Sequence, residues 1–290
     1  MKNLAYLTIR ILLILTMWPS IHLSAQQNYA EIELIADSSE YDFEIMPVAS
    51  LGRFGAFGAF GNKITALEDD GDEYEIRSFT LPDTVNIEEF FFQTDKIVFK
   101  YRNNVLWTTY DGHFDGMCFE DEDFQIANAT DSMFFLIQRN ALSISLFSMK
   151  NKDIESTYSF NEPPLTAGMM GSSIIAITDG TIFLVKPDET ITLHQHLEPI
   201  KCAAITSMGI FFGTDNSLCR LVGIDEFEVI AIGKIKKIFG SNQRLYLIDT
   251  IDNLYKISFS GTDNDTCKEA PLRTTPLISS SRAKSWRLRF

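Results

Sequence analysis

The sequence predicts an all-β chain built as a ring of repeated antiparallel sheets, and three observations predict it. Six strand-turn-strand units recur at near-constant spacing, no long amphipathic helical pattern competes with them, and a strand-like segment near the N-terminus lies outside the repeats, where a ring needs a closing piece. Counted from the first apolar residue of each unit, Ile64, Ile97, Phe134, Ile174, Ile210 and Leu245 stand 33, 37, 40, 36 and 35 residues apart. A four-stranded unit of about 36 residues, repeated six times, is the arithmetic of a six-bladed β-propeller.

Each unit pairs a short apolar strand with a second, alternating one across a polar turn. The pairs are Lys63 to Leu67 with Tyr74 to Phe79, Lys96 to Lys100 with Val105 to Tyr110, and Met133 to Ile137 with Leu142 to Phe147. They continue as Ser173 to Ile177 with Thr181 to Lys186, Gly209 to Gly213 with Ser217 to Val222, and Arg244 to Asp249 with Asn253 to Ser258. The linking segments, such as Arg102-Asn103-Asn104, Thr178-Asp179-Gly180 and Thr214-Asp215-Asn216, carry the Asn, Asp and Gly that tight turns demand.

A further strand precedes each unit and ends in turn residues, as in Gln93-Thr94-Asp95 and Met170-Gly171-Ser172. An outermost strand fits most remaining gaps, for example Glu189 to Leu193 and Glu226 to Ile232. The gap from Thr80 to Asn86 is short and holds Pro82, so the first outer strand is predicted to be minimal. Ala30 to Ala36 is the predicted closing strand, completing the sixth blade from the opposite end of the chain.

The segment Asn242 to Ile257, which runs Arg244-Leu245-Tyr246-Leu247-Ile248-Asp249 and then Asn253-Leu254-Tyr255-Lys256-Ile257, resembles a blade of six-bladed propellers of the NHL or quinoprotein-like type. The likeness extends over about 230 residues as a repeat. Its motifs are generic strand-turn-strand signals, so the resemblance implies a fold and no particular activity.

The N-terminus reads as a secretory signal. Lys2 and Arg10 precede an apolar run from Ile11 to Trp18, followed by Pro19 and the small-residue segment Leu23-Ser24-Ala25. The run is shorter than the roughly 20 residues a bilayer span needs. The expected organisation is therefore a signal peptide over residues 1–25, a propeller over 26–267 and a basic extension over 268–290. The mature chain is expected in a periplasm or outside the cell, with no transmembrane span. Export permits disulfides among Cys118, Cys202, Cys219 and Cys267. Cys202 and Cys219 fall on strands separated by a third, too far apart to bridge.

Composition narrows the function classes. With 45% hydrophobic and 22% charged residues the chain can bury a core, and its formal charge is -14. Residues 1–25 carry +2 and residues 268–290 carry +5, leaving -21 on the body. Such a body repels phosphate backbones, which argues against a nucleic acid partner.

Candidate sites are few. The run Glu68-Asp69-Asp70-Gly71-Asp72-Glu73 makes Asp69, Asp70 and Asp72 a candidate calcium site, because hard cations take several carboxylates from one loop; no other cofactor is indicated. His194 and His196 form a His-x-His pair that could ligate a metal, on a strand expected at the outer rim, away from the axis. His113 has no recognisable nucleophile partner. Phe54, Phe57 and Phe60 recur with Gly at three-residue spacing and are expected to pack between blades.

Arg53, Lys201, Lys234, Lys236 and Lys237 come together in one sector once the ring closes, opposite Glu88, Glu89 and the acids at 120–123. A basic sector at the mouth of an acidic ring would attract a carboxylate, a sulfate or an acidic protein loop, so these five residues are the candidate ligand or partner site. None of the turns holds the Ser-x-Asp-x-Gly-x-Thr-Trp motif of sialidase-like propellers. The sequence thus points to an exported, non-catalytic binding or assembly module that presents loops to a protein or glycan partner. The alternative is a metal-dependent, lactonase-like hydrolase with carboxylates and amides at the channel mouth.

Overall fold

The computed structural model describes residues 29–37, 45, 47–50, 58–69, 74–81, 84–109, 113–121, 123–187, 189–241 and 244–260, and holds no helix among them. The strands follow the repeats. After β1 (Tyr29–Ala36) and β2 (Ala49–Ser50), blade 1 contains β3 (Ala59–Phe60), β4 (Lys63–Asp69) and β5 (Tyr74–Thr80). Blade 2 contains β6 (Glu89–Phe92), β7 (Lys96–Tyr101), β8 (Asn104–Thr109) and β9 (Phe114–Cys118). Blade 3 contains β10 (Gln125–Thr130), β11 (Met133–Gln138), β12 (Ser143–Ser148) and β13 (Asp153–Ser159).

Blade 4 contains β14 (Pro164–Met170), β15 (Ser173–Thr178), β16 (Thr181–Val185) and β17 (Thr190–Gln195). Blade 5 contains β18 (Cys202–Thr206), β19 (Gly209–Gly213), β20 (Ser217–Gly223) and β21 (Glu226–Ile232). Blade 6 contains β22 (Ile235–Ser241), β23 (Arg244–Asp249) and β24 (Leu254–Ser260). Its fourth strand is β1, which pairs antiparallel with β24 from Tyr29 opposite Ser260 to Ala36 opposite Leu254. The ring therefore closes as predicted, with the N-terminal strand as the outermost of the last blade. Among the described residues blade 1 has three strands, in keeping with the minimal outer strand expected from the short Pro82-containing gap.

Burial explains why the middle strands read as continuous apolar runs. Blades 2 to 5 are each sandwiched between two others, so both faces of their inner strands are covered. Along β6, Phe90 and Phe92 pack toward blade 1 with Ile64 and Ala66, while Phe91 packs toward blade 3 with Ile126 and Phe134. Each of these fully buried rings contributes about 1.5–3 kcal/mol of apolar transfer free energy. The cores between blades 3 and 4, 4 and 5, and 5 and 6 follow the same rule. Outer strands lose one cover and alternate, as in β13, where only Ile154 among the large apolar residues is exposed. Several outer pairs carry a bulge, for example between Ile182 and Phe183 of β16 opposite β17, which supports the stronger twist of a blade rim.

Strand β2 is an addition to the repeat scheme. It runs parallel to β6, with Ala49 opposite Phe91 and Ser50 opposite Phe92, and the Val48 amide donates to the Phe90 carbonyl at 2.8 Å. Ile45 pairs antiparallel with Ala59. β2 lies against β22 and β6, and it also reaches β10, one blade further round. It therefore sits inside the ring of inner strands, toward the axis. The Phe-Gly segment before blade 1 falls mostly outside the described residues; Phe60 itself is 51% exposed and does not enter between blades.

Candidate functional site

In every blade the first strand begins at the same end as the turn between the second and third strands, because consecutive strands are antiparallel. Glu89 lies opposite Lys100 and Ile235 opposite Asp249, so the inner-strand entrances and these turns form one loop face. On it, blades 2 to 4 present mainly acids. Glu88 meets the Lys100 ammonium at 3.3 Å and accepts from the Arg102 amide, and Lys100 also sits 4.8 Å over the Phe124 ring. Arg139 of blade 3 bridges to Asp179 of blade 4 at 3.1 Å, and the Asn140 amide donates to Asp123. The Glu162 carboxylate accepts from the Thr178 hydroxyl at 2.6 Å, and Thr178 is fully buried.

Blades 5 and 6 carry the cations on the same face. Lys201 precedes β18 and Lys234 precedes β22; both are exposed and neither has an ion pair among the described residues. Lys236 is held by Asp252 at 2.5 Å. Lys237 is half-buried, and burial lowers its ammonium from the usual 10.5 to about 8, against the opposing pull of Glu89. Glu89 answers from blade 2: burial raises its carboxyl above 4.5, while the Ile126 amide at 2.8 Å and the charges of Lys100 and Lys237 favour its ionised form. The structure thus places Lys201, Lys234, Lys236 and Lys237 in one arc, with Lys237 close enough to Glu89 for their charges to interact. The sequence grouped these cations but could not say which were occupied. Arg53 lies outside the described residues.

The other sequence-stated candidates fall elsewhere. Asp69 ends β4, and Asp70 and Asp72 lie outside the described residues, so the calcium reading rests on sequence alone. Among the described residues no three His, Cys, Asp or Glu side chains converge where they could hold a metal ion. His194 and His196 sit at the rim of blade 4 as expected. Their rings hydrogen-bond each other, Nε2 to Nδ1, at 3.0 Å and are walled by Phe212 and Phe227. Asp225 donates its amide to the Leu193 carbonyl at 2.8 Å and brings its carboxylate to 3.7 Å from His194 Nδ1. Cys202 and Cys219 are separate buried thiols with β19 between them, and burial pushes Cys202 up to about 12. Among the described residues, no helix is long and apolar enough to cross a membrane.

No protein-family model and no curated protein matches the chain. Solved structures do match. A streptogramin B lyase aligns with a TM-score of 0.55 at 10% identity, covering 81% of this chain and 99% of that one. A catalytically inactive virginiamycin B lyase from Staphylococcus aureus, solved with quinupristin, aligns at 0.51 and 14%, covering 68% and 74%. PorZ, a surface component of the type-IX secretion system of Porphyromonas gingivalis, aligns at 0.52 and 10%, covering 77% of this chain and 39% of that one. At such identities the likeness carries the architecture and no chemistry, and with the blade order above it makes this chain a six-bladed β-propeller.

Proposed function

We propose that the chain is an exported, non-catalytic propeller that serves as a binding or assembly module, offering its charged loop face to a protein or glycan partner in an envelope or outside the cell. The observation that carries this reading is the pair of exposed lysines, Lys201 and Lys234, standing without ion pairs among the described residues on the rim of a strongly acidic protein. Partnered charges such as Arg139 and Asp179 already satisfy one another, whereas these two ammonium groups lie open to an acidic ligand. Similar folds include assembly components as well as lyases, which is consistent with an assembly role. The N-terminal signal pattern supports export.

The test is crosslinked affinity purification of residues 26–290 from the native envelope or medium, beside a Lys201→Glu/Lys234→Glu variant. A stoichiometric partner captured by the wild type and lost with the variant is the expected result. Absence of a partner with both proteins overturns the reading and directs the next assays to metal-dependent lactone hydrolysis. Lys236 and Lys237 are left intact because both already hold intramolecular partners.

A further inference from the structure

The histidine pair at the rim of blade 4 sits on a joint between two blades. His194, 5% exposed, lies on β17 opposite Ile182, and His196 follows the strand with its amide donating to the Gly180 carbonyl at 2.9 Å. The ring centroids are 5.3 Å apart and Nε2 of His194 meets Nδ1 of His196 at 3.0 Å, so these two nitrogens point straight at each other. Blade 5 covers the pair from the other side. Phe227 of β21 packs on the two rings at 5.2 and 5.0 Å, and Phe212 of β19 packs on both as well. Asp225 turns the chain between β20 and β21 at a φ of 57°, and its amide bond to the Leu193 carbonyl fastens that hairpin to blade 4.

This joint accommodates one added proton and not two. While both rings are neutral, one of the facing nitrogens donates and the other accepts. A first proton makes His194 a donor from both nitrogens, Nε2 toward His196 and Nδ1 toward the Asp225 carboxylate at 3.7 Å; that Nδ1 is buried and otherwise has no hydrogen-bond partner. A second proton sets one N–H against another at 3.0 Å and places two adjacent cations in a site walled by phenylalanine. The surrounding charges do not offset this. Asp225 is 73% exposed and Glu198 is exposed, so water weakens both. Asp179 and Glu162, beside Gly180, are taken by Arg139 and Thr178. Glu226 and Glu228 alternate with Phe227 and belong to the other face, where Arg220 reaches Glu228 at 3.4 Å. Cys219, opposite Phe212, is a thiol whose pKa burial raises. Burial and the His194 charge hold His196 below the usual imidazole range, with Glu198 opposing them.

We propose that His194, His196 and Asp225 form an acid-released latch, which holds the β20–β21 hairpin of blade 5 on the rim of blade 4 at neutral pH and lets it lift when the second imidazole charges. The hairpin is the part that moves. β17 is anchored through Leu193 in the core between blades 4 and 5, whereas β21 is bonded along one edge to β20 alone among the described residues, and Val222, Ile224 and Val229 already stand exposed on the hairpin. Lifting uncovers the rest of Phe227 and frees the Leu193 carbonyl, so the rim gains apolar surface in acid.

Amide exchange followed by NMR on residues 26–290 from pH 7.5 to 5, with each rate corrected for the intrinsic effect of pH, tests this directly. An opening that takes up one proton raises the open fraction by up to about tenfold per pH unit below about 6.5. Protection of the Asp225 amide should therefore fall at least tenfold between pH 7 and pH 5, while the Phe211 amide in the inner strand β19 keeps its protection. His196→Gln, which cannot take a charge, should make Asp225 protection independent of pH. Asp225→Asn, which removes the counter-charge of the first proton, should move the release to higher pH. Protection at Asp225 that does not change with pH, a change that survives His196→Gln, or a simultaneous loss of protection in all blades would each overturn the latch.

Discussion

Replacing Lys237 by methionine should make the protein more stable at neutral pH, although it removes a charge that faces an opposite one. Lys237 holds its proton only up to about pH 8 when folded, against the ordinary 10.5. That difference corresponds to about 3 kcal/mol at about 1.4 kcal/mol per tenfold change in proton affinity. The sign follows from proton counting. Between pH 8 and 10.5 the unfolded chain binds more protons than the folded one, so wild-type stability rises with pH across that window. Below pH 8 the lysine is charged in both states and the full cost of burying it is present.

Methionine keeps the length of the stem and removes that cost. The attraction of Glu89 is already contained in the lowered pKa of Lys237, so the single variant should exceed wild type by about 1–3 kcal/mol at pH 7, in the range found when buried ion pairs are replaced by apolar groups. Urea unfolding, followed through the buried Trp107, measures both proteins at pH 7, 8.5 and 10. The gap should be widest at pH 7 and narrow toward pH 10. A variant less stable than wild type at pH 7, or a gap that does not change with pH, would refute the reasoning.

Three other perturbations are expected to read out the architecture. Burial and the neighbouring His194 lower the pKa of His196 while Glu198 opposes them, so the fold should lose stability as pH falls through about 6.5, where the unfolded imidazole charges. His196→Gln should flatten that acid limb in a thermal-melt series from pH 7.5 to 5, and an unchanged limb would contradict the assignment. Gly168→Ala places a methyl 2.9 Å from Cβ of Ile205 across the contact of blades 4 and 5, and should cost about 1–3 kcal/mol by urea unfolding. Deleting residues 29–36 removes the outermost strand of blade 6 and should replace a single cooperative unfolding transition by a broadened or earlier one, detectable by calorimetry.

The ring was legible because a propeller writes its architecture as period. Strand pairs read from residues 63–79 through 244–258 fall within one or two positions of the observed strands, and β19, β21 and β23 coincide with their readings. Closure by β1 was legible too, since its alternation of Glu31 and Glu33 with Ile32 and Leu34 has no partner within the repeats. Strand β2 was not. Two residues leave no period to detect, and its partner β6 is set by where the chain turns inside the ring.

The charged mouth was half legible. Sequence order placed Lys201, Lys234, Lys236 and Lys237 on adjoining blades, but the pairing of Lys236 with Asp252 and the burial of Lys237 near Glu89 depend on strand register and on which side chain faces the axis. The same holds for His194 and His196. Their two-residue spacing predicts a shared face, yet only the packing of blade 5 supplies the Phe212 and Phe227 walls that hold the pair in a half-buried hydrogen bond.

The central claim is that the loop face formed by the inner-strand entrances is where a partner docks. Amide hydrogen exchange on residues 26–290, with and without the partner captured by affinity purification, tests it most directly. The account predicts protection concentrated at Lys201, Lys234 and the turns at 102–104, 139–142, 178–180, 214–216 and 250–252. Protection confined to the opposite hairpins, at 61–62, 94–95, 131–132, 171–172 and 207–208, would contradict it.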